Sequence, residues 1–291
     1  MENVISVIGG DLRVIKLVEM LAEDGIKVFT YGLEETESLE DNENVIQTQS
    51  LDEALEKSKI IIGSIPLSID GSTVCAPFSA NKIMLQDITD KIHEKVFIAG
   101  NITNEFYDEV KQNDNKIIDI LKREELAVLN TISTAEGAIQ IAMEETQRTV
   151  HGSDVLIMGF GRISKMLAKM LDGIGANVYC ETRRNDSVAW IKAYGYKPIK
   201  LEKLKQNLNK FDIIINTIPV TILNEEELKM LKKDCLIIDL ASDPGGINRK
   251  VAKQLGIKLV WALSLPGKVA PVSSAEFIKE TIDNVIKETI I

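Results

Sequence analysis

The sequence predicts an α/β protein built from two doubly wound domains, each with a parallel sheet. In both halves a short apolar run enters a glycine turn and continues into an amphipathic helix: VISVIGGD at 4–11 is matched by DVLIMGFG at 154–161. A second pair of similar segments follows at nearly the same spacing, KSKIIIGSIP at 57–66 and KFDIIINTIP at 210–219. Short apolar runs suit strands buried on both faces, and amphipathic helices between them indicate parallel βαβ units.

The composition is typical of a globular protein and excludes several classes of function. The chain has 291 residues, enough for two domains, and a net charge of −10, which argues against nonspecific binding to nucleic acid. Three distant cysteines and two histidines favour neither a disulfide framework nor a metal site. No apolar run approaches the roughly 18 residues that cross a bilayer, and the N-terminal segment lacks secretion-signal features. We expect a cytoplasmic protein that binds neither membrane nor nucleic acid.

The second glycine turn predicts a dinucleotide site. Gly159 and Gly161 lack a Cβ, so the backbone turns tightly there and a ligand can approach closely. A helix that begins at this turn places free N–H groups against a pyrophosphate. Ser164 replaces the third glycine of G-x-G-x-x-G, but the strand–turn–helix context supports the assignment. The residues expected at the cofactor are Gly159, Phe160, Gly161, Arg162 and Ile163 at the turn, and Thr217, Ile218, Pro219, Asp239 and Ala241 at the ends of later strands.

The end of the next strand bears on the choice between NADP and NAD. NAD-dependent domains of this kind place a carboxylate roughly 20 residues after the first glycine, where it accepts hydrogen bonds from the ribose. Here that place falls at Glu181 or Thr182, followed by Arg183 and Arg184. A small hydroxyl residue followed by guanidinium groups suits the 2′-phosphate of NADP. The sequence therefore favours NADP bound by Thr182, Arg183 and Arg184, and it leaves NAD open, with Glu181 at the ribose.

The remaining elements predict how the two domains are connected. Further strands are expected at Leu236–Asp239 and Lys258–Trp261. One helix is expected from about Thr134 to Val150, and a last one from about Ser274 to Ile290. We predict that these two helices bridge the domains, that the last helix returns to the first domain, and that a ligand cleft lies between the domains. The predicted division is 1–130 plus 272–291 for the N-terminal, substrate-side domain and 131–271 for the cofactor domain.

Six motifs are spread along nearly the whole chain: GGDLR near the start, PLSIDG at 66–71, LNTISTAEGAI at 129–139, MGFGRIS at the second glycine turn, IDLASDPGG at 238–246 and ALSLPGKVAP at 262–271. Together they resemble the family formed by the A subunits of dipicolinate synthase, whose wider relatives are the two-domain alanine and D-2-hydroxyacid dehydrogenases with Rossmann-like domains. The resemblance implies oxidation of dihydrodipicolinate, formed from 4-hydroxy-tetrahydrodipicolinate, to pyridine-2,6-dicarboxylate. It also implies hydride transfer to NADP, in the mother cell of a sporulating bacterium.

The resemblance further implies a hetero-oligomer with the flavoprotein-like B subunit of dipicolinate synthase, and we also expect a homo-oligomer. Three positions depart from the family's pattern. Ser133 stands where proline is usual, Ser164 where the third turn glycine is usual, and Glu276 where a Thr-Ala-Gly segment ends. Ser164 is small enough for close helix–strand packing, whereas Glu276 adds an anion near a loop expected to face the substrate.

The implied substrate carries two carboxylates, which favour cationic partners. Arg13, after the first glycine turn, and Lys268, in the LPGKVAP segment, are each expected to bind one carboxylate. Lys268 is also a catalytic candidate, since it can polarise the ring from a loop between two prolines. Both residues have an alternative interpretation as exposed surface cations. Ser68, in PLSIDG, is a further expected substrate contact.

The segment from Ser133 to Glu136 allows two compatible interpretations. As structure it is a capping box that starts a helix, in which Ser133 and Glu136 exchange hydrogen bonds with the backbone. As function it is a helix N-terminus whose N–H groups hold a carboxylate, with Ser133 and Thr134 touching the substrate. Glu136 and Asp11 are candidates for the catalytic acid or base, although turn chemistry alone explains Asp11 and Asp70.

No nucleophile–histidine arrangement is visible in the sequence, and gain of aromaticity makes a strong protein base unnecessary. Two alternatives remain open. One is an NADP-dependent reductase of a small 2-oxo or 2-hydroxy acid, against which stands the absence of a histidine near Pro266. The other is a non-catalytic NADP-binding partner subunit. A change in dinucleotide absorbance with the ring substrate, for the chain alone or with the B subunit, distinguishes them.

Overall fold

The computed structural model describes residues 4–39 and 41–290, and the chain divides into two compact units. Unit 1 comprises Met1–Leu129 and Ala270–Ile291, and unit 2 comprises Asn130–Val269. Within the described residues, no helix has both the length and the hydrophobicity that crossing a membrane requires.

Each unit contains one six-stranded sheet, and the strand pairs are parallel. The strands are β1 Val4–Ile8, β2 Lys27–Tyr31, β3 Val45–Gln47, β4 Ile60–Gly63, β5 Val96–Ala99, β6 Lys116–Asp119, β7 Asp154–Met158, β8 Asn177–Thr182, β9 Lys197–Lys200, β10 Ile213–Asn216, β11 Leu236–Asp239 and β12 Lys258–Trp261. Their order is β3-β2-β1-β4-β5-β6 in unit 1 and β9-β8-β7-β10-β11-β12 in unit 2. Both sheets thus have the doubly wound order, and the predicted fold class, two Rossmann-like α/β domains, is confirmed.

The helices connect these strands and flank the sheets. They are α1 Leu12–Glu23, α2 Leu51–Glu56, α3 Leu85–Thr89, α4 Asn104–Lys111, α5 Glu124–Glu145, α6 Arg162–Ile174, α7 Asn185–Ala193, α8 Glu225–Leu228, α9 Arg249–Gln254, α10 Leu265–Val269 and α11 Pro271–Ile290. Short 3-10 turns occur at Glu37–Leu39, Ile120–Lys122, Leu201–Lys203 and Lys205–Lys210.

Apolar side chains cover both faces of each sheet. In unit 1, Val7 and Ile62 are fully buried on one face, and Ile8 and Ile61 are fully buried on the other. Ile282 of α11 lies in the same core as Val7, and α11 packs against α1. The last helix therefore shares the core of unit 1. Alternate residues of β7 and β10 form the two cores of unit 2 in the same way.

The helix predicted to begin at Thr134 begins ten residues earlier, at Glu124, and ends at Glu145 rather than Val150. The predicted capping box at Ser133 and Glu136 is therefore wrong, because both residues lie inside α5. Hydroxyl and β-branched residues favour caps in isolation, but here the hydroxyl of Thr134 donates to the carbonyl of Asn130 at 2.7 Å, within the helix. The N–H groups at this point are consequently not a free helix terminus.

The segment around Lys268 also differs from the prediction. Lys268 was expected on a loop, but it lies in α10, a short helix that covers part of α5. A Cβ added to Gly137 of α5 would approach the Leu265 side chain to 3.2 Å, which shows how closely α10 packs there. The last helix begins at Pro271 rather than Ser274, as expected for a residue whose fixed φ suits a first helical turn.

Candidate functional site

The turn between β7 and α6 in unit 2 contains two glycines, and each suits its position for a different structural reason. Gly159 has a φ of +92°, and a Cβ there would lie 2.8 Å from the hydroxyl oxygen of Thr217, so the fold itself requires glycine. Gly161 is the N-cap of α6, has no side chain to cap the helix, and would have nothing within 4 Å of an added Cβ. The space in front of Gly161 is therefore open, as a backbone that contacts a pyrophosphate requires.

The corresponding turn in unit 1 is filled by the chain itself. The N–H of Gly10 donates to the carbonyl of Cys75 at 3.0 Å. A Cβ on Gly9 would lie 2.9 Å from Val74 and 3.0 Å from Ala76. The segment 74–76 thus occupies the place that a dinucleotide takes in such a domain. Of the two glycine turns, only the one in unit 2 fits a dinucleotide.

Ser164, which replaces the third turn glycine, links α6 to the end of β10. Its side chain is fully buried, and its hydroxyl oxygen lies 2.9 Å from that of Thr217. The Thr217 hydroxyl donates its single proton to the carbonyl of Met158 at 2.8 Å, so Ser164 is the donor in the pair. Phe160 and Ile163 are half-buried beside this turn, and Arg162 is exposed.

At the end of β8, Glu181 is directed into the protein. Its side chain is 1% exposed and accepts a hydrogen bond from the N–H of Gly159 at 3.3 Å. Burial raises the pKa of the Glu181 carboxyl above its ordinary value, and the Gly159 hydrogen bond and the charge of Arg183 oppose this effect. Glu181 therefore stabilises the glycine turn from the protein interior. Its carboxylate is not exposed at the surface, where a ribose would contact it.

The next residues form the turn that follows β8, and the two arginines differ. Thr182 is buried, and its hydroxyl accepts from the N–H of Arg184 at 3.2 Å. The guanidinium of Arg184 forms a two-point ion pair with Asp186, which lowers the pKa of that carboxyl to about 2. Arg183 is exposed, and within the described residues its guanidinium has no ion pair or hydrogen bond. Arg183 is thus the arginine that remains available to an anion.

The ends of β10 and β11 are joined by a buried polar network that the sequence interpretation missed. Asn216, at the end of β10, donates to the carboxylate of Asp239 at 2.7 Å. The same carboxylate accepts from the N–H groups of Ala241, at 3.1 Å, and Gly246, at 2.9 Å. Asn216 and Asp239 are both fully buried. The Asp239 carboxylate therefore shapes the loop after β11 rather than facing solvent.

Asn216 also organises the loop after β10. Its side-chain oxygen accepts from the N–H of Ile218 at 3.1 Å, and its nitrogen donates to the Ile218 carbonyl at 3.0 Å. Ile218 is half-buried beside Gly159, and Pro219 is exposed. A polar residue that ends the apolar run IIIN was the one available signal for this role.

In unit 1, Arg13 forms a buried fork. Its guanidinium donates to both oxygens of Asp11, with the shortest contact at 2.8 Å, and also to the carbonyl of Ile65. Asp11 is the N-cap of α1 and accepts from the N–H of Arg13. Arg13 is only 8% exposed, whereas the side chain of Asp11 is 33% exposed. Both candidates therefore lie together at the first glycine turn, and they are engaged mainly with each other.

Ser68 and Asp70 belong to a self-contained turn. One oxygen of Asp70 accepts from the N–H groups of Ser72 and Thr73, both at 2.8 Å, and from the Ser68 hydroxyl at 3.1 Å. These hydrogen bonds, first those from Thr73, hold the pKa of Asp70 far below its usual range. The Ser68 hydroxyl also accepts from Gly71 at 2.9 Å. Turn chemistry accounts for every contact of this group.

Three residues predicted at the site, Ser133, Glu136 and Lys268, lie on α5 and α10 rather than at the glycine turn between β7 and α6. Ser133 is 1% exposed inside α5. Glu136 is exposed and lines a groove between α5 and α6 together with Met170 and Ile174, which belong to the end of α6 away from its first residue. Lys268 is exposed on α10. Within unit 2 the structure thus brings the cofactor candidates together and leaves these residues apart.

Two further kinds of candidate are the cysteine thiols and clusters of potential metal ligands. Burial raises the pKa of Cys180 and Cys235 to about 12, so both are neutral thiols at physiological pH. Burial also raises the pKa of Cys75. Across residues 4–39 and 41–290 there is no group of three or more His, Cys, Asp or Glu side chains that could hold a metal ion.

Comparison with known families divides the chain in two. The model of the N-terminal domain of the A subunit of dipicolinate synthase matches residues 4–121. The model of the NAD binding domain of D-isomer specific 2-hydroxyacid dehydrogenases matches residues 125–251. The second match covers the open glycine turn, β8 and the Asn216–Asp239 network.

The chain also has relatives over nearly its whole length. The chain is 32% identical over 291 residues to the A subunit of dipicolinate synthase of Bacillus subtilis (strain 168), covering 98% of this chain and 96% of that protein. The crystal structure of the A chain of dipicolinate synthase from Bacillus subtilis has a TM-score of 0.88 and 28% identity, and covers 99% of this chain and 97% of that one. A structure of L-alanine dehydrogenase, at a TM-score of 0.64, 13% identity and coverage of 96% and 88%, shares the fold.

Proposed function

The chain belongs to the family of dipicolinate synthase A subunits, and from this premise we propose that it oxidises dihydrodipicolinate to pyridine-2,6-dicarboxylate with NADP as the hydride acceptor. Its class is that of the nicotinamide-dinucleotide-dependent oxidoreductases. The observation that carries the proposal is the contrast between the glycine turns, open at Gly161 in unit 2 and filled by 74–76 in unit 1. This contrast supports a cofactor site in unit 2 and a substrate site in unit 1.

Residues of unit 2 that fit the dinucleotide surround the open turn. The backbone at Gly159–Ile163 would hold the pyrophosphate, and the N–H groups that begin α6 would stabilise its charge. Ser164, Thr217 and Asn216 act through the backbone, since their hydrogen bonds hold α6, β7 and the loop after β10 in place. When bound, the nicotinamide supplies the hydride acceptor, and the protein supplies position and the exclusion of water.

The ribose end supports NADP over NAD. An NAD-type carboxylate would be Glu181, but this side chain is 1% exposed and directed toward Gly159. Arg183 is exposed and without an ion pair among the described residues, whereas Arg184 already pairs with Asp186. A guanidinium without a carboxylate partner suits a phosphate. We therefore place the 2′-phosphate at Arg183, with Thr182 shaping the turn.

For the substrate, Arg13 is the main candidate in unit 1. Asp11 and the Ile65 carbonyl hold its guanidinium in one orientation, so a substrate carboxylate meets a fixed cation at the carboxyl end of β1. Lys268, exposed on α10, remains the candidate for the second carboxylate. Ser133, Thr134 and Glu136 are left out, because Ser133 is buried, Thr134 donates to Asn130, and Glu136 faces the α5–α6 groove.

The proposed reaction does not require a strong protein base. Dihydrodipicolinate loses a hydride to the dinucleotide and a proton to solvent, and the product ring gains aromaticity. Asp11 is partly exposed and is, among the described residues, the one carboxylate in contact with Arg13, so it is the candidate to receive that proton if a side chain takes part. The name of the Bacillus subtilis relative describes one subunit of a synthase and so implies an assembly. We propose that this chain likewise works with a flavoprotein-like B subunit, in the cytoplasm of a sporulating cell.

The test is a turnover assay with enzymatically generated substrate. Purified chain is mixed with NADP or NAD, with and without the B subunit, while dinucleotide absorbance and pyridine-2,6-dicarboxylate are followed. We expect product with NADP, and a loss of the preference for NADP in Arg183→Ala, whereas the matched variant Arg184→Ala keeps most of it. Absence of product under every condition, despite intact dinucleotide binding, would contradict the proposed reaction. Equal turnover with NAD and NADP would contradict the proposed cofactor.

A further inference from the structure

A lysine-lined cavity lies at the edge of unit 2, beside β9. Its volume is about 410 Å³, and its lining includes four lysines and one aromatic ring: Lys192, Lys197, Lys200, Lys203 and Tyr179. Among the described residues, none of these lysines forms an ion pair with a carboxylate. Such a cluster is unexpected in a chain with a net charge of −10. It marks a local surface that favours an anion.

Lys200 differs from the other three in its contact. It is the last residue of β9 and lies opposite Thr182 in the pairing of β9 with β8. Its ammonium donates to the carbonyl of Arg183 at 2.9 Å. An ammonium has three donors, and within the described residues this is the one hydrogen bond that the Lys200 ammonium makes, so two donors remain for a ligand.

The charges around the turn after β8 are unbalanced. Arg184 is neutralised by Asp186. Arg183 has no ion pair within the described chain, and the ammonium of Lys200 is held against the Arg183 carbonyl. Neither cation has a carboxylate as an ion-pair partner among the described residues, so a dianion bound at this turn would be attracted by both charges. A neutral ribose hydroxyl in the same place would not gain this attraction.

We propose that Lys200 is a second specificity-determining residue of the cofactor site and that it binds the 2′-phosphate of NADP together with Arg183. This inference rests on the proposed NADP preference. Lys200 arrives from the edge strand rather than from the loop after β8, so the β8–β9 pairing fixes its position independently of Arg183. The remaining lysines of the cavity raise the local potential without touching the phosphate.

The experiment measures binding by calorimetry for four probes: NADP, NAD, adenosine 2′,5′-bisphosphate and adenosine 5′-monophosphate. The variants are Lys200→Met, which keeps the aliphatic stem, Lys200→Arg, which keeps the charge, and Arg183→Ala. Lys203→Met is the matched control, because it removes the same charge from the same cavity without a contact to the turn. We expect Lys200→Met to weaken NADP and the 2′,5′-bisphosphate about tenfold and to leave the two probes without a 2′-phosphate within about twofold.

The other possible results test the role of Lys200 and the proposed NADP preference separately. Partial rescue by Lys200→Arg and no selective loss in Lys203→Met support the inference. An equal loss for NADP and NAD in Lys200→Met would mean that Lys200 only ties β9 to the turn, and it overturns the inference. If Arg183→Ala abolishes the preference for NADP while Lys200→Met does not, the inference fails and the proposed cofactor stands. If the wild-type chain binds NAD as tightly as NADP, both fail.

Discussion

The hydroxyl of Ser164 donates a hydrogen bond to the hydroxyl of Thr217 at 2.9 Å, and Thr217 donates in turn to the carbonyl of Met158. This relay joins the first turn of α6 to the ends of β10 and β7. A third glycine would let the helix approach the sheet, but it could not make this connection. Ser164, which stands at the third glycine position of the G-x-G-x-x-G pattern, thus adds a polar link beside the glycine turn between β7 and α6.

Removing the two ends of this link has unequal consequences. Ser164→Ala loses one hydrogen bond and leaves the Thr217–Met158 bond in place, so we expect a loss of about 1 kcal/mol in unfolding free energy. Thr217→Val leaves the Ser164 hydroxyl buried without an acceptor and removes the donor to Met158, so we expect about 2 kcal/mol. Thermal or urea unfolding measures both. A double variant whose loss equals the sum of the single losses would contradict the relay.

Substitutions of the two glycines in the turn between β7 and α6 distinguish effects on folding from effects on dinucleotide binding. An added Cβ at Gly161 meets nothing within 4 Å, and φ there is −91°, so Gly161→Ala keeps its fold. It nevertheless obstructs the pyrophosphate, and we expect NADP and NAD to lose about tenfold or more in affinity. Gly159→Ala is the contrasting variant. Its φ of +92° and the 2.8 Å approach to Thr217 predict a loss of about 1–3 kcal/mol in stability.

Calorimetry and thermal unfolding of both variants give the comparison. Unchanged dinucleotide affinity in a stably folded Gly161→Ala protein would exclude the open turn as the pyrophosphate site. A Gly159→Ala protein as stable as the wild type would contradict the packing against Thr217.

Replacing the buried Asp239 carboxylate with an amide should strongly lower the stability of the protein. One oxygen of the Asp239 carboxylate accepts from Asn216 and Ala241, and the other accepts from Gly246, so an amide nitrogen placed by Asp239→Asn at either position faces at least one donor. We expect about 2–3 kcal/mol of destabilisation and a disordered loop after β11. Asp243→Asn, in the same loop but paired with Arg249 at the surface, is the control and should leave the unfolding midpoint nearly unchanged. Similar losses in both variants would contradict the buried network.

The sheets and the glycine turn between β7 and α6 were predictable because their signals are local. A buried parallel strand shows itself as a short apolar run, and a turn that needs positive φ shows itself as glycine. The start of α5 was not predictable in this way, because Asn130 and Thr134 favour caps in isolation, while burial of Leu126 and Ala135 on either side keeps the chain helical. Tertiary packing, which the sequence does not display, decided that boundary.

The site contacts fall into the same two classes. The residues after β8 were predicted as cofactor contacts from their spacing to the first glycine. The distinction between Arg183 and Arg184, by contrast, depends on how the turn brings Asp186 to only one of them. The Asn216–Asp239 pair likewise exists only because β10 and β11 are neighbours in register. Contacts of this kind come from the strand order and not from the motif.

Glu181 makes the stability of unit 2 depend on pH. Burial raises the pKa of its carboxyl in the folded state above the ordinary value of 4.5. As pH rises through that ordinary value, the unfolded chain releases a proton that the folded chain retains, so stability falls until the folded-state pKa is passed. Glu181→Gln accepts the same Gly159 hydrogen bond but does not titrate. The variant should therefore gain stability relative to the wild type as the pH is raised.

Thermal unfolding of both proteins at several pH values from about 4 to 8 measures this difference. The lowest pH serves as the internal control, because Glu181 is mostly protonated in both states there and the difference between the two proteins should then be smallest. A difference that does not change with pH, or one that favours the wild type at neutral pH, would contradict the burial of an ionisable Glu181.

For Arg13, an activity assay alone would not distinguish a structural role from substrate binding. Arg13→Ala removes the partner of Asp11 and a donor to the Ile65 carbonyl, and we expect a loss of about 2 kcal/mol, since Asp11 keeps one third of its side chain in solvent. Arg13→Lys keeps the charge but not the fork, so it should recover part of that stability. If Arg13 also binds a substrate carboxylate, Arg13→Lys should weaken pyridine-2,6-dicarboxylate binding about tenfold even where the protein is fully folded. Calorimetry at a temperature well below the unfolding midpoint separates the two effects. Full product affinity in the folded Arg13→Lys protein would assign this arginine to the structure of the first glycine turn and move the carboxylate site elsewhere.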